Sequence, residues 1–318
     1  MAGDGDAQES RSFLLARAQR ALGGNSPIEA VRKVRSIIGP REIPDSEAAA
    51  QEALKLLQDG QSPSPQQLAA LEIVVRLLRP VVLSQGGVLQ DLQETANRDL
   101  RPQELKDAWS SFRAAAGRYV GSIGRIEDGR NRHVGTGFVV GDGLIATNRH
   151  VLAVLSSGSD ALAPGASRIV FKGEFASTDA QSDIVPIEGV AKVHPTRDIA
   201  IFRAATGGRP SVSFAADVPA AGASVVTIGF PGKDEYNNPL FLTSVFDGRF
   251  GVKSAALGEL LDGTKASDIF HDCSTTQGNS GSPVFSIETG LVVGIHRSGY
   301  FMYRNEAVRS TEIQAVLH

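Results

Sequence analysis

The chain has 318 residues, a formal net charge of -3 and 21% charged side chains, and its isoelectric point is near 6.1. That balance excludes the strongly basic footprint of a nucleic-acid binder, and a length about twice that of a common single domain favours two domains. Cys273 is the single cysteine, which excludes an intrachain disulfide and the multi-cysteine zinc motifs, so a reducing compartment, the cytoplasm, is expected. The start, "MAGDGDAQES", is acidic and polar, unlike a secretory leader. No stretch is apolar for long enough to span a bilayer, so no membrane association is expected.

Residues 1–10 are expected to be disordered, and residues 11–117 to form a small helical domain. Helices are expected from about Phe13 to Leu22, Glu47 to Leu57 and Pro102 to Ala116, the last closed by Gly117. Two more open on capping boxes, Ser26-Pro27-Ile28-Glu29 and Ser64-Pro65-Gln66-Gln67. In each, Ser accepts from the N3 amide, Glu or Gln reaches back to the cap, and Pro sits at N1 where no amide is needed. The first carries Ile28, Val31, Val34 and Ile38 on one stripe; the second carries Leu68, Leu71, Val75 and Leu78 and ends at Pro80. Ile73, Val74 and Leu77 widen the apolar surface of the second, which makes it a central core helix in preference to a partner-binding groove.

From residue 118 to 318 the grammar changes to short β-rich runs separated by glycine turns: "RYVGSIGRI", "GTGFVVGDGLIAT", "SRIVFKG", "DIAIFRA", "ASVVTIGF" and "SPVFSIETGLVVGI". Gly141-Asp142-Gly143 and Glu288-Thr289-Gly290 read as hairpin turns. Short strands at such spacing imply a barrel or sandwich. The end, "AVRSTEIQAVLH", reads as a strand followed by a helix capped by Thr311 with Gln314 at N3.

In "STTQGNSGSPVF" a glycine near each side of Ser280 allows a tight loop that aims main-chain N–H groups in one direction, as an oxyanion hole requires. A solvated turn before a hairpin is the competing reading. A serine nucleophile needs a base and an acid to orient that base. His150 follows a hairpin, where it can project from a rigid edge, against the alternative of a core histidine. Asp198 stands immediately before an apolar strand, against the alternative of a solvated strand end. The order His150, Asp198, Ser280 is that of the chymotrypsin-like double barrel among the serine-triad folds.

The segments "GTGFVVGDGLIATNRHVL", "HPTRDIAIFR", "TIGFPG" and "GNSGSPVF…GLVVGIHRSG", in this order, resemble the trypsin-like serine peptidases of bacteria, especially the glutamyl-endopeptidase branch, over residues 118–318. The resemblance implies an all-β double six-stranded barrel with a C-terminal helix, preceded here by a small all-α domain. It implies an endopeptidase acting on protein or peptide substrates without cofactor. Ser280 would be the nucleophile, His150 the base and Asp198 its orienter, with the oxyanion against the Gly278 and Ser280 amides and Asn279 between them. Thr275 and His296 match the pair that binds a substrate glutamate in that branch, and neighbouring Arg297 would add positive charge if it turned inward. Secreted relatives switch on when a new N-terminus pairs with an aspartate just before the serine; Asn279 stands there, so no N-terminal cut is expected. Control would then fall to the helical domain, through autoinhibition, recruitment of a partner or self-association of residues 11–117.

The remaining histidines, His133, His194, His271 and His318, have no metal-ligand spacing, so no metal is expected. Cys273 reads as a small buried hydrophobe. A non-catalytic peptide-binding module of the same fold, and an esterase with the same triad, are the alternatives.

Overall fold

The computed structural model describes residues 4–29, 32, 46–79, 81–92, 103–163, 165–177, 183–235, 239–261, 267–300 and 304–318. The chain divides into two compact units. One comprises Met1–Pro80, Asp91–Trp109 and Glu235–Gly248; the other comprises Val81–Gln90, Ser110–Asp234 and Arg249–His318. Among the described residues no helix is long and apolar enough to cross a membrane.

The first unit is helical. Its α1 (Asp4–Leu22), α2 (Ser46–Gln58) and α3 (Pro65–Leu78) pack on one another. Helix α1 starts inside the segment expected to lack structure: Ala and Glu favour a helix there, and Asp4 and Asp6 suit the positive end of its dipole. Both capping boxes form, Ser26 with Glu29 and Ser64 with Gln67. Val31, Val34 and Ile38 of the stripe after Ser26 lie outside the described residues. Helix α3 is central, as its wide apolar surface implies, with Leu71, Val74, Val75, Leu77 and Leu78 buried. Buried Glu72 on the same helix accepts from both terminal nitrogens of Arg17 at 2.6 and 2.9 Å and from Arg76 Nε at 2.7 Å. That arrangement compensates three charges that would be costly to bury singly.

The other unit holds the β structure. Strands β1 (Val81–Gln85) and β2 (Val88–Leu89) form a hairpin. The helical run ends at Leu78, with Arg79 as its C-cap, yet strands that belong with the β-rich part of the chain begin at Val81. Helix α4 (Gln103–Ala116) leads into a 3-10 turn over Gly117–Ser122. The strand expected from Arg118 therefore begins only at Ile123, because Tyr119 stacks on Phe285, ring centroids 6.3 Å apart, and holds the turn.

A closed barrel follows from β3 (Ile123–Asp128), β4 (His133–Gly141), β5 (Leu144–Thr147), β6 (Ser167–Val170), β7 (Ile184–Val193) and β8 (Ala200–Ala204), ordered β3-β4-β5-β8-β7-β6. Its core includes Ile126, Val139, Ile145, Ile169 and Phe202. Helix α5 (Arg149–Leu155) leaves the end of β5 and buries Val151 and Leu152 in the same core.

The remaining strands are β9 (Ser224–Gly229), β10 (Ser254–Glu259), β11 (Asp268–His271), β12 (Pro283–Ser286), β13 (Val292–Tyr300) and β14 (Arg304–Arg309). They form a sheet ordered β11-β14-β13-β12-β9-β10, which continues through β1 and β2 to eight strands. A bridge between Leu260 and His271 brings the six strands back on themselves, and the sheet runs on past them through β1 and β2. The chymotrypsin-like architecture is present with a hairpin added at one edge. Cys273 is fully buried in this core with Val225, Ile269 and Val284. Helix α6 (Pro239–Phe246), unread in the sequence, lies in the β9–β10 connection and packs on α3. The final helix, α7 (Ser310–Leu317), begins one residue before the expected cap, Thr311. The Ser310 hydroxyl donates to Ala215 O at 3.0 Å, and no side chain caps the helix.

Candidate active site

His150 is the second residue of α5, whose N-cap Asn148 is fully buried and donates from Nδ2 to the Asp198 carbonyl at 2.9 Å. The Asp198 carboxylate takes two hydrogen bonds from His150, one from its amide at 2.9 Å and one at Nδ1, 2.7 Å away. Burial raises the Asp198 pKa, but the hydrogen bonds and charge of His150, with a smaller contribution from Arg297, outweigh it and leave the value below that of a free carboxylate. An ionised carboxylate can only accept, so Nδ1 carries a proton, and in the neutral ring Nε2 keeps its lone pair. That is the tautomer a general base needs. The His150 side chain is 45% exposed, so its ring remains accessible.

Ser280 lies in the turn before β12. Its hydroxyl makes a long hydrogen bond, 3.4 Å, to Arg297 O, and the structure forms no hydrogen bond between it and the His150 ring. Its main chain is fixed to the first barrel, since Thr136 N donates to Ser280 O at 2.8 Å. Gly135 sits between the two elements: a Cβ there would lie 2.8 Å from Val151 Cγ2, next to His150 in sequence, and 3.0 Å from Ser280 O.

The turn itself has a definite polarity. Gln277 O accepts from Gly232 N at 2.5 Å and Asn279 O from Ser282 N at 2.9 Å. In a trans peptide the N–H points opposite to the carbonyl, so the Gly278 and Ser280 amides face away from those donors, and among the described residues neither has an acceptor. The Asn279 amide donates to Thr276 O at 3.2 Å; of the three residues expected around an oxyanion, only Gly278 and Ser280 have free amides. Gly278 has φ +93°, and a Cβ there would overlap His133 Cε1 and lie 2.6 Å from Phe230 O. His133 is held neutral: burial pushes its pKa down to about 4, helped by Arg125 and opposed by Gly135 O.

The three residues expected to line a specificity pocket take different roles. Thr275 is buried and donates to Asn305 Oδ1 at 2.9 Å. His296 is also buried, its Nδ1 3.2 Å from Nε2 of His271. Burial, then the neighbouring His271, then His150 press its pKa well below the ordinary histidine value, so it is neutral. Arg297 occupies a β-bulge and pairs through Nη2 with Glu306 at 2.6 Å, with Asp268 at 4.0 Å. Its charge is therefore directed to β14 and β11. Asn148, Gly232, His271 and Asn305 support this site without having been singled out in the sequence. Each acts through a residue distant in the chain, and only Asn148, inside "TNRH", had a local signal. Among the described residues no group of three His, Cys, Asp or Glu side chains could hold a metal ion.

The family model described as a trypsin-like peptidase domain matches residues 135–295, just over half of the chain. The chain belongs to that family, and it is a serine endopeptidase. No curated protein matches it. Solved structures similar to it include the inactive form of a serine-to-alanine mutant of Rv3671c from M. tuberculosis, 18% identical, covering 64% of this chain and 89% of that one with a TM-score of 0.46. The active form of the Rv3671c protease from M. tuberculosis is 20% identical, over 68% and 86% of the two chains, at 0.45. A serine endoprotease from Yersinia pestis is 18% identical, over 65% of each chain, at 0.46.

Proposed function

We propose that Ser280, His150 and Asp198 are the nucleophile, base and orienting acid of peptide-bond hydrolysis. The observation that carries this reading is the doubly hydrogen-bonded His150–Asp198 pair, in the tautomer that leaves Nε2 basic. The Ser280 hydroxyl turns from Arg297 O to His150 Nε2, gives up its proton there and bonds to the scissile carbonyl carbon. The carbonyl oxygen, now anionic, receives the Gly278 and Ser280 N–H groups. Collapse breaks the C–N bond, the proton on Nε2 passes to the departing amine, and water activated by the same nitrogen releases the acyl group. Ser280→Ala is expected to lower kcat on the order of a million-fold; unchanged cleavage by that variant would overturn the assignment.

The substrate residue before the cut is proposed to be glutamate, held by His296, with Thr275, whose one proton goes to Asn305 Oδ1, supporting the pocket wall. If His271 Nε2–H donates to His296 Nδ1, the neutral His296 carries its proton on Nε2, a donor suited to a carboxylate. A peptide series varied only at that residue tests this, and faster cleavage after Leu or Ala than after Glu contradicts it. Asn279 has no charge with which to pair a new N-terminus, so the enzyme is proposed to act without N-terminal processing. Its location is proposed to be the cytoplasm, on the strength of its single cysteine. Residues 11–117 are proposed to regulate the peptidase or assemble it with itself or a partner. A monomer at every concentration, with specific activity independent of concentration, would contradict self-assembly.

A further inference from the structure

Four consecutive carbonyls of the proposed oxyanion turn accept hydrogen bonds, three of them from main-chain amides. Gln277 O accepts from Gly232 N, Asn279 O from Ser282 N and Ser280 O from Thr136 N. The fourth, Gly278 O, accepts from a side chain, the hydroxyl of Thr136, at 2.8 Å. Thr136 is fully buried on β4. Its hydroxyl oxygen also accepts from Phe230 N at 3.3 Å, so its one proton is committed to Gly278 O. Its own carbonyl accepts from Thr147 Oγ1 at 2.8 Å, which fixes the threonine from a neighbouring strand. Thr136 thus holds the turn at two points, through its amide and its hydroxyl, and the turn is hemmed in further because a Cβ on Gly281 would overlap Thr136 O.

We infer that Thr136 is a positioning residue for catalysis: its hydroxyl fixes the Gly278 peptide group so that the Gly278 and Ser280 amides stay aimed at the developing oxyanion. The inference rests on the serine-peptidase reading of this site. Without the hydroxyl, Gly278 O loses its 2.8 Å bond to Thr136, and a glycine at that point has little intrinsic resistance to rotation. The consequence falls on charge developed in the transition state and hardly on substrate binding, so kcat should change while KM does not.

The test is steady-state hydrolysis of a peptide amide by the full chain carrying Thr136→Val, Thr136→Ala or Thr136→Ser, each measured well below its own melting temperature. Thr136→Val and Thr136→Ala should lower kcat about 10- to 100-fold with KM within about twofold, and Thr136→Ser, which keeps the hydroxyl, should remain within about threefold of wild type. If Thr136→Val does not fold, the comparison of Thr136→Ala with Thr136→Ser still isolates the hydroxyl. Equal kcat for those two overturns the inference, because packing of the methyl group would then account for any loss. A fall in kcat matched by a rise in KM also overturns it. A wild-type enzyme that cleaves nothing overturns the reading of the site itself, which an active wild type with an equally active Thr136→Ala leaves standing.

Discussion

Gly278→Ala is the substitution whose effect the geometry defines most sharply. The residue has φ +93°, where an L side chain costs roughly 1–2 kcal/mol. The added methyl would overlap His133 Cε1 and sit 2.6 Å from Phe230 O, well inside contact distance. His133 is a half-buried side chain, but Phe230 O is main chain, so the Gly278 peptide is the group that must move. Its amide then leaves the position shared with the Ser280 amide. Loss of one such donor lowers kcat about 100- to 1,000-fold, or roughly 3–4 kcal/mol of transition-state stabilisation. The assay is hydrolysis of a chromogenic peptide amide, with thermal unfolding followed in parallel to separate loss of fold from loss of rate. A Gly278→Ala enzyme with kcat within threefold of wild type would refute the argument that this amide faces the reacting carbonyl.

Two further outcomes follow from the same contacts. In Asp198→Asn the His150 amide still requires an acceptor, so Oδ1 stays with it and the NH2 group faces His150 Nδ1; the ring is forced to carry its proton on Nε2, and kcat should fall on the order of 10,000-fold in steady-state assays, a loss within tenfold arguing against the pair. The folded-state pKa of His133, about 4, lies below the ordinary 6.5, so the unfolded chain binds more protons between those values and stability falls as pH drops from 6.5 toward 4. The loss is at most about 3 kcal/mol, less for residual solvent access, and urea unfolding at pH 7.5 and 4.5 should show it shrinking in His133→Gln; equal acid sensitivity in both proteins would exclude this histidine as its source.

Local chemistry explains which parts of the molecule were legible in the sequence. The Ser64 and Gln67 exchange and the Gly141-Asp142-Gly143 turn depend on residues a few positions apart, and both form as the pattern implies. The order of His150, Asp198 and Ser280 pointed to one site, and His150 meets Asp198 there. Strands β1 and β2 were missed although Gly86-Gly87 between them is a local hairpin signal; the pairing of β1 with β10, Val81 opposite Ala256, joins residues far apart in the chain and leaves no such trace. The aim of the Gly278 amide was likewise hidden, since it is set by Gly232 and Thr136 in other elements. Arg297 could be placed beside the pocket from its position after His296, but its turn toward Glu306 depends on a bulge in β13 and an acid on β14. For Ser310, the bond to Ala215 O draws the start of α7 one residue ahead of the threonine that the capping pattern favours.

The proposal that Ser280 is a nucleophile activated by His150 is tested most directly by mass-spectrometric mapping of the adduct formed with a fluorophosphonate probe. The modification should appear on Ser280 in the wild-type protein and vanish in folded His150→Ala. Absence of an adduct on Ser280 in the wild type, or labelling that persists undiminished without the imidazole, would contradict it.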